Sequence, residues 1–274
     1  MLRAYLKSIA DAIRTKLGIT SSINAQEFPN KVNEVYEKGK TDEKNAFWDK
    51  FTQNGERKVY DYAFCGFTDE YIRPNRKIIP VGCDTSDNIP SYAFMFFHNS
   101  YIKKVEAQYF DFSNINTDKF KISQTTYAQG NRQICHYCSE LEEFEDVGMP
   151  AGYYYYTWSR CGKLHTIELI RSNADTRFDS AFSICSSLKN VRFEGEIGRN
   201  LSISYSPLSI ESIKDIILHL VDYKGTENEY AYTVTFKSTA FAKLEAEGAT
   251  AEYDGTACTW AELIGFKKWN LVKA

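Results

Sequence analysis

The sequence lacks any long uninterrupted apolar run. None of its 274 residues belongs to a stretch long enough to cross a bilayer, and the first residues, MLRAYLKSIADAIRTKLG, lack the continuous apolar core of a signal peptide. We therefore expect synthesis in a cytoplasm, without membrane insertion. The formal net charge is only -3, so the chain also lacks the positive field that nucleic-acid binding requires.

The seven cysteines are odd in number and no export signal accompanies them, which argues against a disulfide framework. The closest approach to a metal-binding pattern is ICHYC, which holds Cys135, His136 and Cys138. A zinc site would need a second pair at similar spacing, whereas Cys161 and Cys185 each stand alone. The sequence therefore predicts neither a metal site nor a bound cofactor.

Three phrases repeat along the middle of the chain at intervals of 23 and 24 residues. They read HYCSELEEFED, SRCGKLHTIEL and SICSSLKNVRF, and each has apolar residues at the third and sixth positions after its cysteine. These residues are Leu141 and Phe144, Leu164 and Ile167, and Leu188 and Val191. A repeat of this length holds one short turn and one strand, which cannot enclose a core alone. The spacing predicts that the three leucines lie in one interior row.

The cysteine of these phrases is predicted to be structural. Two upstream phrases, YAFCGFTDEYI and YAFMFFHNSYI, lie 30 residues apart, and the second places Asn99 where the later phrases have cysteine. A position that accepts cysteine or asparagine is typical of a crowded turn filled by a small side chain. No basic residue recurs beside these cysteines to lower the pKa of a thiol, which disfavours a reactive role.

The flanks of the repeats follow other patterns. Leu2, Leu6, Ile9 and Ile13 recur at helical spacing, which predicts an N-terminal helix whose apolar stripe has no evident internal partner. We expect this helix to serve attachment or oligomerisation. After residue 200, SPLSIESIKDIILHLVDYKG, YAYTVTF, STAFAKLEAEG and TWAELIGFKKWNLV predict a helix, a strand, a second helix and a capped segment ending in a strand.

The repeats resemble BspA-type leucine-rich repeats, whose units carry an aromatic residue, a cysteine or asparagine, a leucine and a following strand, as in FSICSSLKNVRF. The segments SIADAIRTKLGITSSINAQEFPNKV, FWDKFTQNGERKVYDYAF and PLSIESIKDIILHLVDYKG resemble parts of structural proteins of phages and prophages of Firmicutes. The chain departs from the repeat pattern in the irregular phrases at 62 and 92, and in AGYYYYTWSRC, where four tyrosines replace a regular strand.

The predicted fold class is α+β, with a helical N-terminal segment, a short irregular leucine-rich-repeat-like solenoid and a small α/β C-terminal cap. The corresponding domains are residues 1–55 for attachment or oligomerisation, residues 56–203 for the solenoid and residues 204–274 for the cap. The cap follows from the need of a repeat array to shield its last face from water.

The resemblance implies a non-enzymatic phage virion protein, an exposed tail or fibre component used in host-surface recognition. Its expected partners are other virion proteins bound through the N-terminal helix, a host-surface glycan or protein, and further copies of the chain. A bacterial BspA-like cell-surface adhesin is the alternative, which the missing signal peptide and wall anchor disfavour. A glycan-active enzyme is less well supported, because the carboxylates of ELEEFEDVG fit a solvated acidic face.

The candidate binding residues are Tyr153, Tyr154, Tyr155, Tyr156 and Trp158. Successive side chains of an extended segment point to opposite faces, so alternate rings are expected to face outward. Outward rings suit stacking on sugars or packing on a protein, and they equally suit packing against a neighbouring repeat or subunit. The sequence leaves these two uses of the outward rings open.

Overall fold

The computed structural model describes residues 2–20, 30–31, 33–35, 37–39, 42, 52–53, 56–57, 96–113, 133–248 and 250–274. The chain forms two compact units, Met1–Thr52 and Gln53–Ala274. Strands β1 (Thr52–Gln53) and β2 (Glu56–Arg57) form a two-stranded sheet at the boundary. The predicted repeat phrase at 62 lies outside the described residues.

Helix α1 (Leu2–Leu17) belongs to the first compact unit. It ends at Gly18, whose φ of 67° is the left-handed conformation that glycine adopts at helix C-termini. Further helical residues lie at 30–31, 33–35, 37–39 and 42. Lys16 and Asp42 form an ion pair at 2.8 Å, which joins the end of α1 to this second helical part.

The repeats form a four-stranded parallel sheet in the second compact unit. Its strands lie in chain order and are β3 (Lys104–Val105), β4 (Glu143–Phe144), β5 (Thr166–Ser172) and β6 (Asn190–Gly195). Lys104 pairs with Glu143, Glu143 with Thr166, and Thr166 with Asn190. Each of these four residues lies five positions after the asparagine or cysteine of its phrase, so the sequence interval corresponds to the strand register.

The sheet and its turns enclose the apolar positions of the repeats. Leu141, Leu164 and Leu188 are completely buried, as is Ile102 at the same position after Asn99. The residues three positions further along are also buried, and they are Val105, Phe144, Ile167 and Val191. The core of this part is therefore built from the same two positions in each of four repeats.

The repeat cysteines join the turns of adjacent repeats. Their thiols donate hydrogen bonds to backbone carbonyls, Cys138 to Phe96 at 2.9 Å, Cys161 to Cys135 at 2.8 Å and Cys185 to Trp158 at 3.0 Å. Each acceptor lies three residues before the cysteine or asparagine of the preceding repeat. Burial raises the pKa of all three donor thiols, so they keep the proton that the hydrogen bond requires. Asn99 instead accepts from the N–H groups of Tyr101 and Ile102, both at 2.9 Å.

Helix α2 (Ile210–His219) covers the outer edge of β6. The hydroxyl of Ser212 accepts a hydrogen bond from the N–H of Val191 at 2.9 Å, and Asp215 accepts from the N–H of Phe193 at 2.8 Å. These side chains occupy the place of the carbonyl groups of a fifth strand. Ser209 caps the start of the helix by accepting from the N–H of Ser212.

A separate three-stranded parallel sheet follows in the order β11 (Asn270–Lys273), β8 (Thr233–Phe236) and β7 (Leu201–Ile203). Helix α2 connects β7 to β8. The chain then passes through α3 (Ser238–Glu247), the antiparallel pair β9 (Thr250–Tyr253) and β10 (Thr256–Thr259), and α4 (Trp260–Phe266) before it reaches β11. Thr259 and Glu262 form a capping box at the start of α4.

The predicted fold class, α+β with a helical N-terminal segment, a leucine-rich-repeat-like solenoid and a small C-terminal cap, is wrong. The described residues form a mixed α/β structure of short parallel sheets and few, short helices. Pairing between β3 and β4 covers two residues, and strands already occur at residues 52–53. The side chains of α2 bond directly to β6, so the C-terminal part continues the structure of the repeats. The domain boundaries stay a prediction.

Replacing Leu164 by Ala should lower the free energy of unfolding by about 2–5 kcal/mol, because it removes buried methyl groups between two neighbouring repeats. Urea denaturation monitored by circular dichroism measures this loss. The matched control is Ile184→Ala, since that side chain is 39% exposed and its truncation should cost about 0.5 kcal/mol or less. Equal losses in the two variants would contradict the assignment of Leu164 to a shared core.

Candidate binding face

The turns of four repeats present one column of side chains. The residue directly before the asparagine or cysteine has a positive φ in each repeat, 55° at His98, 63° at Tyr137, 64° at Arg160 and 59° at Ile184. This left-handed conformation is uncommon for residues other than glycine. Its recurrence at one position means that the four side chains leave the backbone in the same way.

Backbone hydrogen bonds fix the distance between successive members of this column. The N–H of His98 donates to the carbonyl of His136 at 2.8 Å, and the N–H of Tyr137 donates to that of Ser159 at 3.0 Å. The N–H of Arg160 donates in the same way to the carbonyl of Ser183 at 2.7 Å. Neighbouring side chains are thus held at the spacing of hydrogen-bonded strands, about 4.8 Å.

Tyr137 lies between His98 and Arg160 in this column. The His98 and Tyr137 rings are stacked, with centroids 4.4 Å apart and an interplanar angle of 25°. The guanidinium carbon of Arg160 lies 4.8 Å from the centroid of the Tyr137 ring, within the range of a cation–π interaction. The three side chains therefore support one another at the surface.

His136 lies beside the column and is 8% exposed. Its ring centroid is 4.5 Å from that of Tyr137 and 5.3 Å from that of Tyr156. The amide nitrogen of Gln133 lies 3.1 Å from Nδ1. Because this nitrogen is a donor, Nδ1 accepts and the ring proton lies on Nε2, which is buried and has no hydrogen-bond partner among the residues that the structure describes.

Burial lowers the pKa of His136 from 6.5 to about 4, and the nearby His98 and Arg160 contribute to the same shift. The imidazole is therefore neutral at pH 7. A neutral ring fits the packing against Tyr137 and Tyr156, because a buried imidazolium would have no anion to balance its charge.

The tyrosine run does not alternate between two faces. Tyr153, Tyr154 and Trp158 are buried, whereas Tyr155 and Tyr156 are half-buried. The reason is local, since Tyr156 has a φ of 52° and the chain bends at 155–156 instead of running as a strand. The part of the candidate binding surface that reaches solvent is therefore the pair Tyr155 and Tyr156.

The buried members of the run hold adjacent repeats together. The Tyr154 ring is stacked between those of Trp158 and Phe178, at centroid distances of 5.5 and 5.3 Å, and its hydroxyl donates to the carbonyl of Arg171 at 2.9 Å. The hydroxyl of Tyr153 donates to Asp179 at 2.7 Å. These contacts are those of core residues with a polar end.

We call the resulting surface the aromatic face and define it by Phe97, His98, Gln133, His136, Tyr137, Tyr155, Tyr156 and Arg160. Ring contacts connect its aromatic members across three repeats. Only Tyr155 and Tyr156 of these residues were predicted from the sequence as binding residues. The available signal was the position directly before each repeat asparagine or cysteine, which holds His98, Tyr137 and Arg160.

The structure describes only one of the four side chains in the apolar stripe predicted for the N-terminal helix. Ile13 is 5% exposed and is thus buried within the described residues. The side chains of Leu2, Leu6 and Ile9 lie outside the described part of the chain. Attachment through this helix stays a prediction.

The two cysteines of the ICHYC phrase lie in the interior. Cys135 and Cys138 are completely buried, and burial raises the pKa of both thiols. Within the described ranges, no group of three or more His, Cys, Asp and Glu residues is arranged to hold a metal ion. In the same ranges, no helix combines the length and the apolar content needed to span a bilayer.

The chain was also compared with known proteins. No protein-family model, curated protein sequence or solved structure matches it significantly. Arguments about its function therefore rest on the aromatic face and on the sequence itself.

The free energy of unfolding should fall as the pH is lowered from about 6.5 towards 4, because the unfolded chain gains a proton on His136 before the folded chain does. His136→Gln should reduce this fall by about 1–2 kcal/mol between about pH 6.5 and pH 5. Urea denaturation of both proteins across this range is the measurement. The range lies above that in which carboxylates such as Asp146, whose pKa is lowered by hydrogen bonds from Arg171, take up protons. Parallel pH profiles of the two proteins would contradict the assignment.

Proposed function

We propose that this chain is a non-enzymatic structural protein of a phage particle, an exposed tail or fibre component that recognises the host surface through the aromatic face. The recognition part is supported by one observation, the contact of rings from three successive repeats on one surface, where the buried ring of His136 joins the partly exposed rings of Tyr137 and Tyr156. The phage part rests on the resemblance of the flanking segments to virion proteins of Firmicutes phages.

The aromatic face suits binding because its members are already held in place. Tyr137 is packed between His98 and Arg160, and the backbone of each repeat is bonded to the next. Side chains that are ordered before binding lose little conformational freedom in the complex. Tyr155 and Tyr156 add half-buried rings whose centroids are 4.5 Å apart, and tyrosine supplies both apolar and hydrogen-bonding contacts.

The contacts of the acidic residues support a non-enzymatic role. Glycoside hydrolases use two carboxyl groups with different pKa values on either side of a substrate. Here Lys104 pairs with Glu143 at 2.9 Å and with Glu145 at 2.8 Å, and Lys163 pairs with Glu140 at 2.6 Å. These carboxylates belong to surface ion pairs, which fits a solvated charged face better than an acid and base pair.

Substituting the two half-buried tyrosines together, Tyr155→Ser with Tyr156→Ser, should strongly reduce binding of the fluorescently labelled chain to Firmicutes cells. The melting temperature should change little, because both rings already contact solvent. The paired substitution Tyr153→Ser with Tyr154→Ser should instead destabilise the fold by several kcal/mol, on the order of 3–5, since it removes buried rings.

Tyr230→Ser is the matched control, because this ring is 49% exposed and lies in the C-terminal part of the chain. It should bind cells as the wild type does. Undiminished cell binding by the double variant at 155 and 156 would contradict recognition through the aromatic face. Mass spectrometry of purified phage particles separates the virion protein from a bacterial adhesin, which would be absent from them.

We further propose that α1 attaches the chain to other virion proteins or to further copies of itself. Deleting residues 1–20 should leave the compact unit Gln53–Ala274 folded, because α1 belongs to the other compact unit. Sedimentation velocity should then show a lower assembly mass than that of the full chain. An assembly state unchanged by the deletion would refute this role for the helix.

A further inference from the structure

Arg160 differs from Arg171 and Arg177 in having no acidic partner among the described residues. Arg171 pairs with Asp146, and Arg177 pairs with Asp179. Arg160 is exposed and contacts the Tyr137 ring, but no carboxylate of the described residues lies within ion-pair distance of it. The exposed guanidinium of Arg160 can therefore contact an anion from outside the chain.

The surroundings of Arg160 do not offset its charge. Its neighbours on the aromatic face are the rings of Tyr137 and His136, and His136 carries no negative charge in either protonation state. The carboxylate of Asp179, which contacts the tyrosine run, already accepts from Arg177 at 2.5 Å and from the hydroxyl of Tyr153. Among the described residues, no carboxylate therefore pairs with the guanidinium of Arg160.

The guanidinium of Arg160 suits an anion that offers two oxygens. The N–H groups of a guanidinium lie in one plane, and two of them are parallel. These two match two oxygens of a carboxylate or a phosphate, and such paired hydrogen bonds are stronger than neutral ones. The guanidinium carbon lies 4.8 Å from the centroid of the Tyr137 ring, and this contact favours one position of the side chain before a ligand arrives.

The rings beside Arg160 favour a sugar over an acidic peptide. Tyr156 precedes Arg160 by four residues in the same turn, and its ring is half-buried beside those of His136 and Tyr155. Tyrosine rings next to a charged hydrogen-bond donor provide both an apolar surface for the C–H groups of a pyranose and a contact for its anionic substituent. A simple acidic peptide would need the charge but not the adjacent rings.

We propose that the aromatic face binds an anionic saccharide, with Arg160 contacting its carboxylate or phosphate and Tyr155 and Tyr156 packing against its sugar rings. This inference rests on the proposed recognition function and names the class of ligand. The carboxylate and the phosphate are alternative sources of the same chemistry, a pair of anionic oxygens that accepts two parallel N–H groups.

Isothermal titration calorimetry of the full chain at low salt tests the proposal with four probes. Oligogalacturonate supplies carboxylated sugars, a phosphorylated oligomannose supplies phosphorylated sugars, maltohexaose is neutral, and polyglutamate is acidic without sugar rings. We expect one of the two anionic saccharides to bind, and maltohexaose and polyglutamate to bind at least about tenfold more weakly. Added salt should weaken the binding, because exposed charges are screened.

Arg160→Gln should weaken the anionic saccharide about tenfold or more, because it removes the charge-assisted hydrogen bonds, whereas Arg160→Lys should retain part of the affinity. Arg192→Gln is the matched control, since Arg192 is also an exposed arginine without an acidic partner among the described residues, but it lies on β6. It should bind as the wild type does. Melting temperatures of the three variants confirm that each is folded.

Three results would overturn the inference, namely equal affinity of Arg160→Gln and wild type, equal binding of polyglutamate, or no binding of either anionic saccharide. Binding to cells distinguishes a wrong ligand class from a wrong proposed function. If cells bind the wild type and Arg160→Gln equally while the variant at Tyr155 and Tyr156 does not bind, recognition stands and the anionic ligand is wrong. If cells bind none of the proteins, the proposed function itself fails.

Discussion

The hydrogen bonds from the buried thiols of Cys138, Cys161 and Cys185 to backbone carbonyls determine the arrangement of the second compact unit. Each one joins a turn to the preceding turn, where the interior is too crowded for a larger side chain. The strands on the sheet side then pair in the register that the turns impose. Because the thiols are fully buried, they contribute packing and a donor but no reactivity.

The same constraint creates the aromatic face. A chain that directs a cysteine inward must reverse just before it, and in four repeats it does so through a residue with positive φ. The side chain of that residue leaves the turn at the surface, one in each repeat. The surface column therefore consists of residues whose backbone position is fixed by the core but whose identity is not. This explains how histidine, tyrosine, arginine and isoleucine occupy equivalent sites.

The spacing of residues in the sequence predicts the periodic part of this structure but not its local bends. The positions of Leu141, Leu164 and Leu188 follow from a fixed spacing, because burial repeats with the strand register. The exposure of each ring in the run 153–156 depends on the positive φ of Tyr156, and no periodicity of the sequence reveals this angle. The predicted fold class was wrong for a related reason. The contact of α2 with β6 uses Ser212 and Asp215, polar residues that a search for apolar faces passes over.

The covered edge of β6 has a consequence for how this protein can change in length. Ser212 and Asp215 of α2 accept hydrogen bonds from N–H groups of β6. A further strand therefore cannot pair with β6, and this edge of the sheet is protected from pairing with strands of other molecules. A repeat of 23 or 24 residues duplicated inside the array would leave this termination intact. Each such duplication would lengthen the aromatic face by one strand spacing, about 4.8 Å, and add one variable surface residue. The edge that α2 covers would stay unchanged while the number of surface side chains in the column increased.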